Sequence, residues 1–112
     1  MQGVAQLIAE SESWLKAALI LMSVLVVPLY EEIVFRGVIF PFLLRKWGFA
    51  PSVIMVSAAF GLIHFHIPSL FPLFLLSVAL CIAYYRTGSL WISIGFHALF
   101  NGISIVVLTL LY

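Results

Sequence analysis

The chain has 112 residues, of which 65% are hydrophobic and only 8% are charged, and its formal net charge is +1. A soluble domain carries about 25% charged residues and needs them to cover its surface, so this composition excludes an ordinary soluble protein and predicts an integral membrane protein. The sequence offers no basic patch for nucleic acid, and its single cysteine, Cys81, excludes an internal disulfide and a multi-cysteine metal site.

Residues 1–16 are mixed in character and mildly amphipathic. We expect them to form an interfacial N-terminal segment, in which Trp14 and Lys16 lie at a membrane boundary. Residues 17–112 are then the predicted membrane core. The chain therefore divides into an interfacial start and one apolar domain.

The first apolar run continues through several charged residues to about residue 46. A single helix over 13–46 would be roughly 50 Å long, whereas the hydrocarbon core of a bilayer is about 30 Å thick. Such a helix must kink, tilt or protrude. Pro28 and Pro41 are the predicted kink points, because proline removes a backbone hydrogen bond from a helix.

Three further apolar segments follow, at 52–65, 69–85 and 89–111. Their runs are long and do not alternate between polar and apolar residues, which argues against strands. The expected fold class is all-α, a polytopic membrane helical bundle of about four transmembrane segments. The segment 69–85 carries no strong polar group, so we predict that it is a packing element.

The turns at 45–51 and 86–89 give an orientation, because they fall on the same side of a four-segment bundle. They contain Arg45, Lys46 and Arg86, which are three of the five basic residues. The positive-inside rule predicts that this side faces the cytoplasm. The expected location is a bacterial cell membrane.

Six strongly polar residues interrupt the apolar segments, where each would cost several kcal/mol if it faced lipid. They are Glu31, Glu32, Arg36, His64, His97 and Asn101. Counted from the basic side at about 1.5 Å per helical residue, they lie roughly 10–20 Å deep. Three separate helices are therefore expected to place them in one layer near the middle of the membrane.

The spacing of these residues suggests different roles. Glu32 and Arg36 are four residues apart in the favourable order, which predicts an internal ion pair. Glu31 is rotated by about 100° from Glu32, so it is available for another role. His97 and Asn101 share one helix face. Each pattern alone is also typical of structural ion pairs or interhelical hydrogen bonds; their combination at one depth indicates a site.

A carboxylate in a low-dielectric site is a competent general base near neutral pH, and a histidine beside it can polarise a water. A second histidine and an asparagine can stabilise an oxyanion. No serine or cysteine pairs convincingly with a base, which favours direct attack by water. One glutamate and two histidines could instead bind Zn²⁺. No HExxH motif supports zinc, so no cofactor is predicted and zinc remains the alternative.

Three motifs resemble those of a known family. EEIVFRG (31–37), FGLIH (60–64) and HALFN (97–101) match, in order and spacing, the EExxxR, FxxxH and HxxxN motifs of the CAAX protease and bacteriocin-processing family, also called the Abi or CPBP family. YYRTGSLW (84–91) is similar to the connection before the last motif. The resemblance covers about residues 22–105, which is most of the chain.

The resemblance implies an intramembrane endopeptidase that cleaves membrane-associated substrates, either of CAAX type or as bacteriocin or leader peptides. Its partners would be membrane lipid and a membrane-associated peptide or protein. Transferred by position, the resemblance implies that Glu31 activates the water together with His64. His97 and Asn101 would stabilise the oxyanion. Glu32 and Arg36 would shape the site. The family has been described as metal-dependent and as glutamate-dependent, and the residues favour the second description.

The chain departs from the family in two respects. Members often have glycines in the third segment, where this chain has Ser77, Val78 and Cys81. Members also usually have further membrane helices before the motifs, so the resemblance implies a minimal or truncated core.

Two other functional classes compete with the protease. One is a non-catalytic membrane immunity or scaffold protein that keeps the family fold. The other is a proton or ion pathway, although four helices with a single polar layer provide no continuous relay.

Overall fold

The structure is a computed structural model that describes residues 2–111. Seven α-helices occur in this range: α1 (Gln2–Glu10), α2 (Ser13–Leu21), α3 (Val27–Glu32), α4 (Phe40–Trp47), α5 (Phe49–Leu62), α6 (Ile67–Thr87) and α7 (Leu90–Leu111). Two π-helical segments, Met22–Val26 and Ile33–Ile39, lie on either side of α3. The described residues contain no strand, so the predicted all-α fold class is confirmed.

Among the described residues, three stretches are long and apolar enough to cross a membrane: Ser13–Trp47, Ile67–Thr87 and Leu90–Leu111. The fourth predicted segment is the apolar helix α5, which has 14 residues. At 1.5 Å per residue it is about 21 Å long, less than a bilayer core of about 30 Å. The protein is an integral membrane protein, and its described residues contain three helical stretches long enough to cross a bilayer and one shorter apolar helix.

Each predicted kink point lies two residues after the end of a π-helical stretch. Val27, after the first segment, and Phe40, after the second, each donate their N–H to the carbonyl five residues earlier. The next residue is Pro28 in one case and Pro41 in the other. Proline has no N–H, so it cannot continue that hydrogen-bonding register. Each π-helical stretch is therefore confined to one side of a proline.

The turn predicted between α4 and α5 is shorter than expected. Helix α4 continues through Trp47, and α5 begins at Phe49, so Gly48 alone interrupts them. Pro51 was predicted to belong to the loop. The structure places it in the first turn of α5, where its missing N–H breaks no helical hydrogen bond.

The chain forms two compact units, which we call the terminal unit (residues 1–30 and 94–112) and the central unit (residues 31–93). The boundaries predicted at residues 16 and 17 stay a prediction.

The central unit has a core shared by the Ile33–Ile39 segment, α4, α5 and α6. Its buried residues are Phe35, Phe40, Val53, Val56, Phe60 and Cys81. Helices α5 and α6 approach closely at Gly61, where an added Cβ would lie only 2.9 Å from Leu70 Cδ1 and 3.2 Å from the Leu70 carbonyl oxygen. The absence of a side chain at Gly61 therefore permits this packing.

Candidate active site

The predicted ion pair lies at the centre of the central unit. Arg36 Nη1 donates to Glu32 Oε2 at 3.0 Å, and both side chains are fully buried. Glu32 is the last residue of α3 and Arg36 lies within the Ile33–Ile39 segment. The i,i+4 pairing expected from the sequence is confirmed, and its burial keeps both groups away from solvent.

Arg36 also reaches the neighbouring helices. Its Nη2 donates to the Ser77 carbonyl oxygen at 3.2 Å and to Ser77 Oγ at 2.5 Å, on α6. Its guanidinium carbon lies 4.7 Å from the centre of the Phe60 ring on α5, in a cation–π contact. The guanidinium thus connects the Ile33–Ile39 segment with two other helices.

The contribution of α6 corrects one prediction. The segment 69–85 was expected only to pack, but Ser77 provides two acceptors for a buried charge. A signal was present, since Ser77 and Cys81 stand four residues apart on an apolar helix. Nothing in that spacing, however, identifies Arg36 as the partner, which is 41 residues away.

The second pair joins Glu31 to His64. His64 Nε2 lies 3.8 Å from Glu31 Oε2, while His64 Nδ1 lies 2.7 Å from the Phe60 carbonyl oxygen. A carbonyl oxygen only accepts, so Nδ1 carries the hydrogen in this contact. Nε2 is consequently the nitrogen that faces the carboxylate. The expected proximity of Glu31 and His64 is confirmed.

The two adjacent glutamates lie in different environments. The Glu32 side chain is fully buried, whereas the side chains of Glu31 and His64 are 16% and 32% exposed. The side chains of the second pair are therefore partly exposed, whereas those of the first pair are enclosed. The division of catalytic and supporting roles between the two glutamates stays a prediction.

His97 and Asn101 lie on α7 in the terminal unit, and both are buried. Asn101 Nδ2 donates to the Ser23 carbonyl oxygen at 3.0 Å. This bond was not foreseen, because Ser23 lies 78 residues away in the sequence. The four other predicted site residues belong to the central unit, so the joining of both groups in one cavity stays a prediction.

The donor atoms bear on the zinc alternative. Within residues 2–111, no three His, Cys, Asp or Glu side chains form a group that could hold a metal ion. Glu31 and His64 supply two donors in the central unit, whereas a catalytic zinc takes three protein ligands and a water. His97, the third ligand of the zinc alternative, belongs to the terminal unit, so that alternative stays a prediction and no step below passes through a metal.

Comparisons with known proteins agree with the motifs. The family model described as type II CAAX prenyl endopeptidase Rce1-like matches residues 13–103, a range that contains all six predicted site residues. The chain is also 31% identical over 83 residues to the Bacillus subtilis (strain 168) protein named "Putative membrane peptidase YdiL". That match covers 74% of this chain and 34% of the relative, so the chain spans about a third of that relative's length. No solved structure matches the chain.

Proposed function

The chain belongs to the Rce1-like family of type II CAAX prenyl endopeptidases, and from this premise we propose that it hydrolyses peptide bonds of membrane-associated substrates with a water activated by Glu31. The observation that carries the proposal is the contact of 3.8 Å between Glu31 and His64, next to a separate, fully buried ion pair. The substrates we propose are CAAX-type or leader peptides held at the membrane.

The hydrogen bonding of His64 favours this chemistry. Its Nδ1–H faces the Phe60 carbonyl, so a neutral imidazole presents its Nε2 lone pair to Glu31. The carboxylate of Glu31 also accepts hydrogen bonds. A water that donates one O–H to each group would be held between them, with an oxygen lone pair directed at the substrate.

The reaction then follows from general base catalysis. Glu31 takes one proton as the water oxygen bonds to the scissile carbonyl carbon, whose oxygen becomes an oxyanion. When the C–N bond breaks, the proton passes to the leaving nitrogen and Glu31 returns to its carboxylate form. No covalent enzyme intermediate is required.

We assign the oxyanion to His97 and Asn101, since an imidazole N–H and a primary amide are both suitable donors. The amide of Asn101 gives one hydrogen to the Ser23 carbonyl, and a primary amide has a second. Glu32 and Arg36 have a supporting role. Their pairing fixes the backbone at Glu32 and hence the residue before it, Glu31.

The competing hypothesis is a non-catalytic membrane scaffold or immunity protein. The decisive experiment measures cleavage of a panel of membrane-tethered peptides by the purified protein and by Glu31→Gln. We expect Glu31→Gln to lose turnover and to keep its unfolding midpoint, because the amide preserves the shape but cannot take a proton. Glu10→Gln, an exposed change in α1, is the matched control.

Turnover of Glu31→Gln at the level of the parent would reject the general base and support the scaffold. Repeating the cleavage assay with a chelator tests whether the activity requires a metal. If the parent lost activity with chelator and regained it with zinc, water activation would pass to a metal held by Glu31, His64 and His97.

A further inference from the structure

The bond between Asn101 and Ser23 involves a backbone carbonyl within a helical segment. Asn101 Nδ2 donates to the Ser23 oxygen at 3.0 Å, and Ser23 lies in the π-helical segment Met22–Val26. A helical carbonyl ordinarily accepts from a backbone N–H four or five residues later. The question is therefore why the Ser23 oxygen accepts from a side chain and not from a backbone N–H.

The cause lies in the two residues that would ordinarily donate to this carbonyl. Val27 is four residues after Ser23, but its N–H donates to the Met22 carbonyl. Pro28 is five residues after Ser23 and has no N–H. Neither the α-helical nor the π-helical donor can reach the Ser23 oxygen, so Pro28 leaves this carbonyl to an outside donor.

Helix α7 approaches this point through a second contact. Gly102 follows Asn101, and a Cβ built at Gly102 would lie 3.9 Å from Val24 Cγ1 in the same π-helical segment. Asn101 is only 7% exposed. A carbonyl without a donor is costly in a membrane protein, so this packing both brings α7 close and requires a donor from it.

We propose that Pro28 is a positioning residue that acts through the Ser23 carbonyl to orient the Asn101 amide. An amide is planar, so fixing one Nδ2–H direction also fixes the directions of the second hydrogen and of Oδ1. The catalytic meaning of this orientation rests on the proposed function, in which Asn101 donates to the oxyanion. The hydrogen-bonding arrangement itself does not.

A double-mutant cycle on the full chain in detergent tests the arrangement. The variants are Pro28→Ala, Asn101→Ala and the double variant, and the readout is the unfolding midpoint. We expect Asn101→Ala to lower the midpoint clearly when Pro28 is present. It should lower the midpoint much less in the Pro28→Ala background, because the backbone N–H introduced at position 28 can take over the Ser23 carbonyl.

The matched control replaces the proline that follows the other π-helical segment. Pro41→Ala introduces a backbone N–H at the equivalent position after the other segment, but that N–H offers no donor to the Ser23 carbonyl. Its effect on the midpoint should add to that of Asn101→Ala. Additive effects of Pro28→Ala and Asn101→Ala would overturn the proposal.

Kinetics separate positioning from a merely structural role. Pro28→Ala should lower kcat severalfold with KM unchanged, because the Ser23 carbonyl is now shared and Asn101 loses its fixed direction. Pro28 is fully buried, so Pro28→Ala also removes buried side-chain volume. A fall in kcat at unchanged KM is the readout that this loss of packing alone would not move. A kcat equal to that of the parent would also overturn the proposal.

The proposed function and this inference fail in different ways. If the parent shows no cleavage, the proposed function fails, and the cycle of unfolding midpoints still decides whether Pro28 acts on Asn101. If the parent cleaves but the cycle is additive, the positioning role fails and the proposed function stands.

Discussion

The π-helical segments Met22–Val26 and Ile33–Ile39 are built alike but are held by different polar contacts. Each is followed by one further residue and then a proline. The first receives a neutral hydrogen bond, from the Asn101 amide to a backbone carbonyl. The second contains a charge, Arg36, which binds Glu32 and Ser77 in a fully buried site.

The energies of these contacts are unequal. Interhelical hydrogen bonds between neutral groups in membranes average about 0.6 kcal/mol and reach about 1.7. Removing one partner of a buried ion pair costs about 3–5 kcal/mol, because the other charge remains without compensation. The second segment is therefore firmly fixed next to Glu31, whereas the first is held by a weaker contact between neutral groups.

The largest effect is expected at the charged contact. Glu32→Gln should destabilise the protein by about 3–5 kcal/mol, since Arg36 keeps its charge without its carboxylate. Equilibrium unfolding in mixed detergent measures the loss. Glu31→Gln is the matched control, because it makes the same chemical change one residue earlier, at a partly exposed position. Equal stability of the two variants would show that the buried pair does not hold the second segment.

Removing the remaining charge sharpens this test. The double variant Glu32→Gln/Arg36→Met should recover much of the stability that Glu32→Gln loses, because no uncompensated charge is left in the core. A double variant less stable than Glu32→Gln would instead mean that Arg36 stabilises chiefly through Ser77 and Phe60.

The second effect concerns catalysis on α7. His97→Ala should lower kcat by about 10²–10³-fold, the usual cost of one oxyanion donor, with little change in KM. Single-turnover cleavage of a membrane-tethered peptide measures the rate. A kcat like that of the parent would remove His97 from the site and leave the polar pair of α7 with a structural role.

Much of the fold and part of the site could be predicted from sequence, because both depend on local patterns. Long apolar runs with charged turns predict membrane helices, and the i,i+4 spacing of Glu32 and Arg36 predicts their pairing. The motif order also placed Glu31 with His64. Each of these inferences uses a periodicity or a motif that the chain displays directly.

The missed features depend on contacts between distant residues. Ser77 binds Arg36 across 41 residues, and Asn101 binds Ser23 across 78. No periodicity relates residues so far apart. The π-helical segments were also missed, because a proline signals a lost N–H but not which carbonyl it frees or which helix supplies the replacement donor.

The third effect is smaller and concerns the neutral part of the charged site. Ser77→Ala should cost about 1.5–3 kcal/mol, the range for a hydrogen bond to a charged group, while the Ser77 carbonyl keeps its own contact with Arg36. Ser57→Ala is the matched control, since Ser57 is equally buried and its Oγ has no hydrogen-bond partner within the described residues. A Ser57→Ala variant as destabilised as Ser77→Ala would show that loss of side-chain volume, and not of the Arg36 contact, causes the effect.

The smallest effect on stability is expected at the first segment. Asn101→Ala should cost about 0.6–1.7 kcal/mol, because its hydrogen bond joins two neutral groups, and this loss should be smaller than that of Ser77→Ala. The two variants can be compared by equilibrium unfolding in the same mixed detergent. The expected order of the two losses follows from charge. Both side chains make a hydrogen bond at a buried contact, but only the bond of Ser77 is to a charged group. If Asn101→Ala were the more destabilised variant, the Ser23 carbonyl would be as costly to leave without a donor as the Arg36 charge, and the first segment would be fixed as firmly as the second.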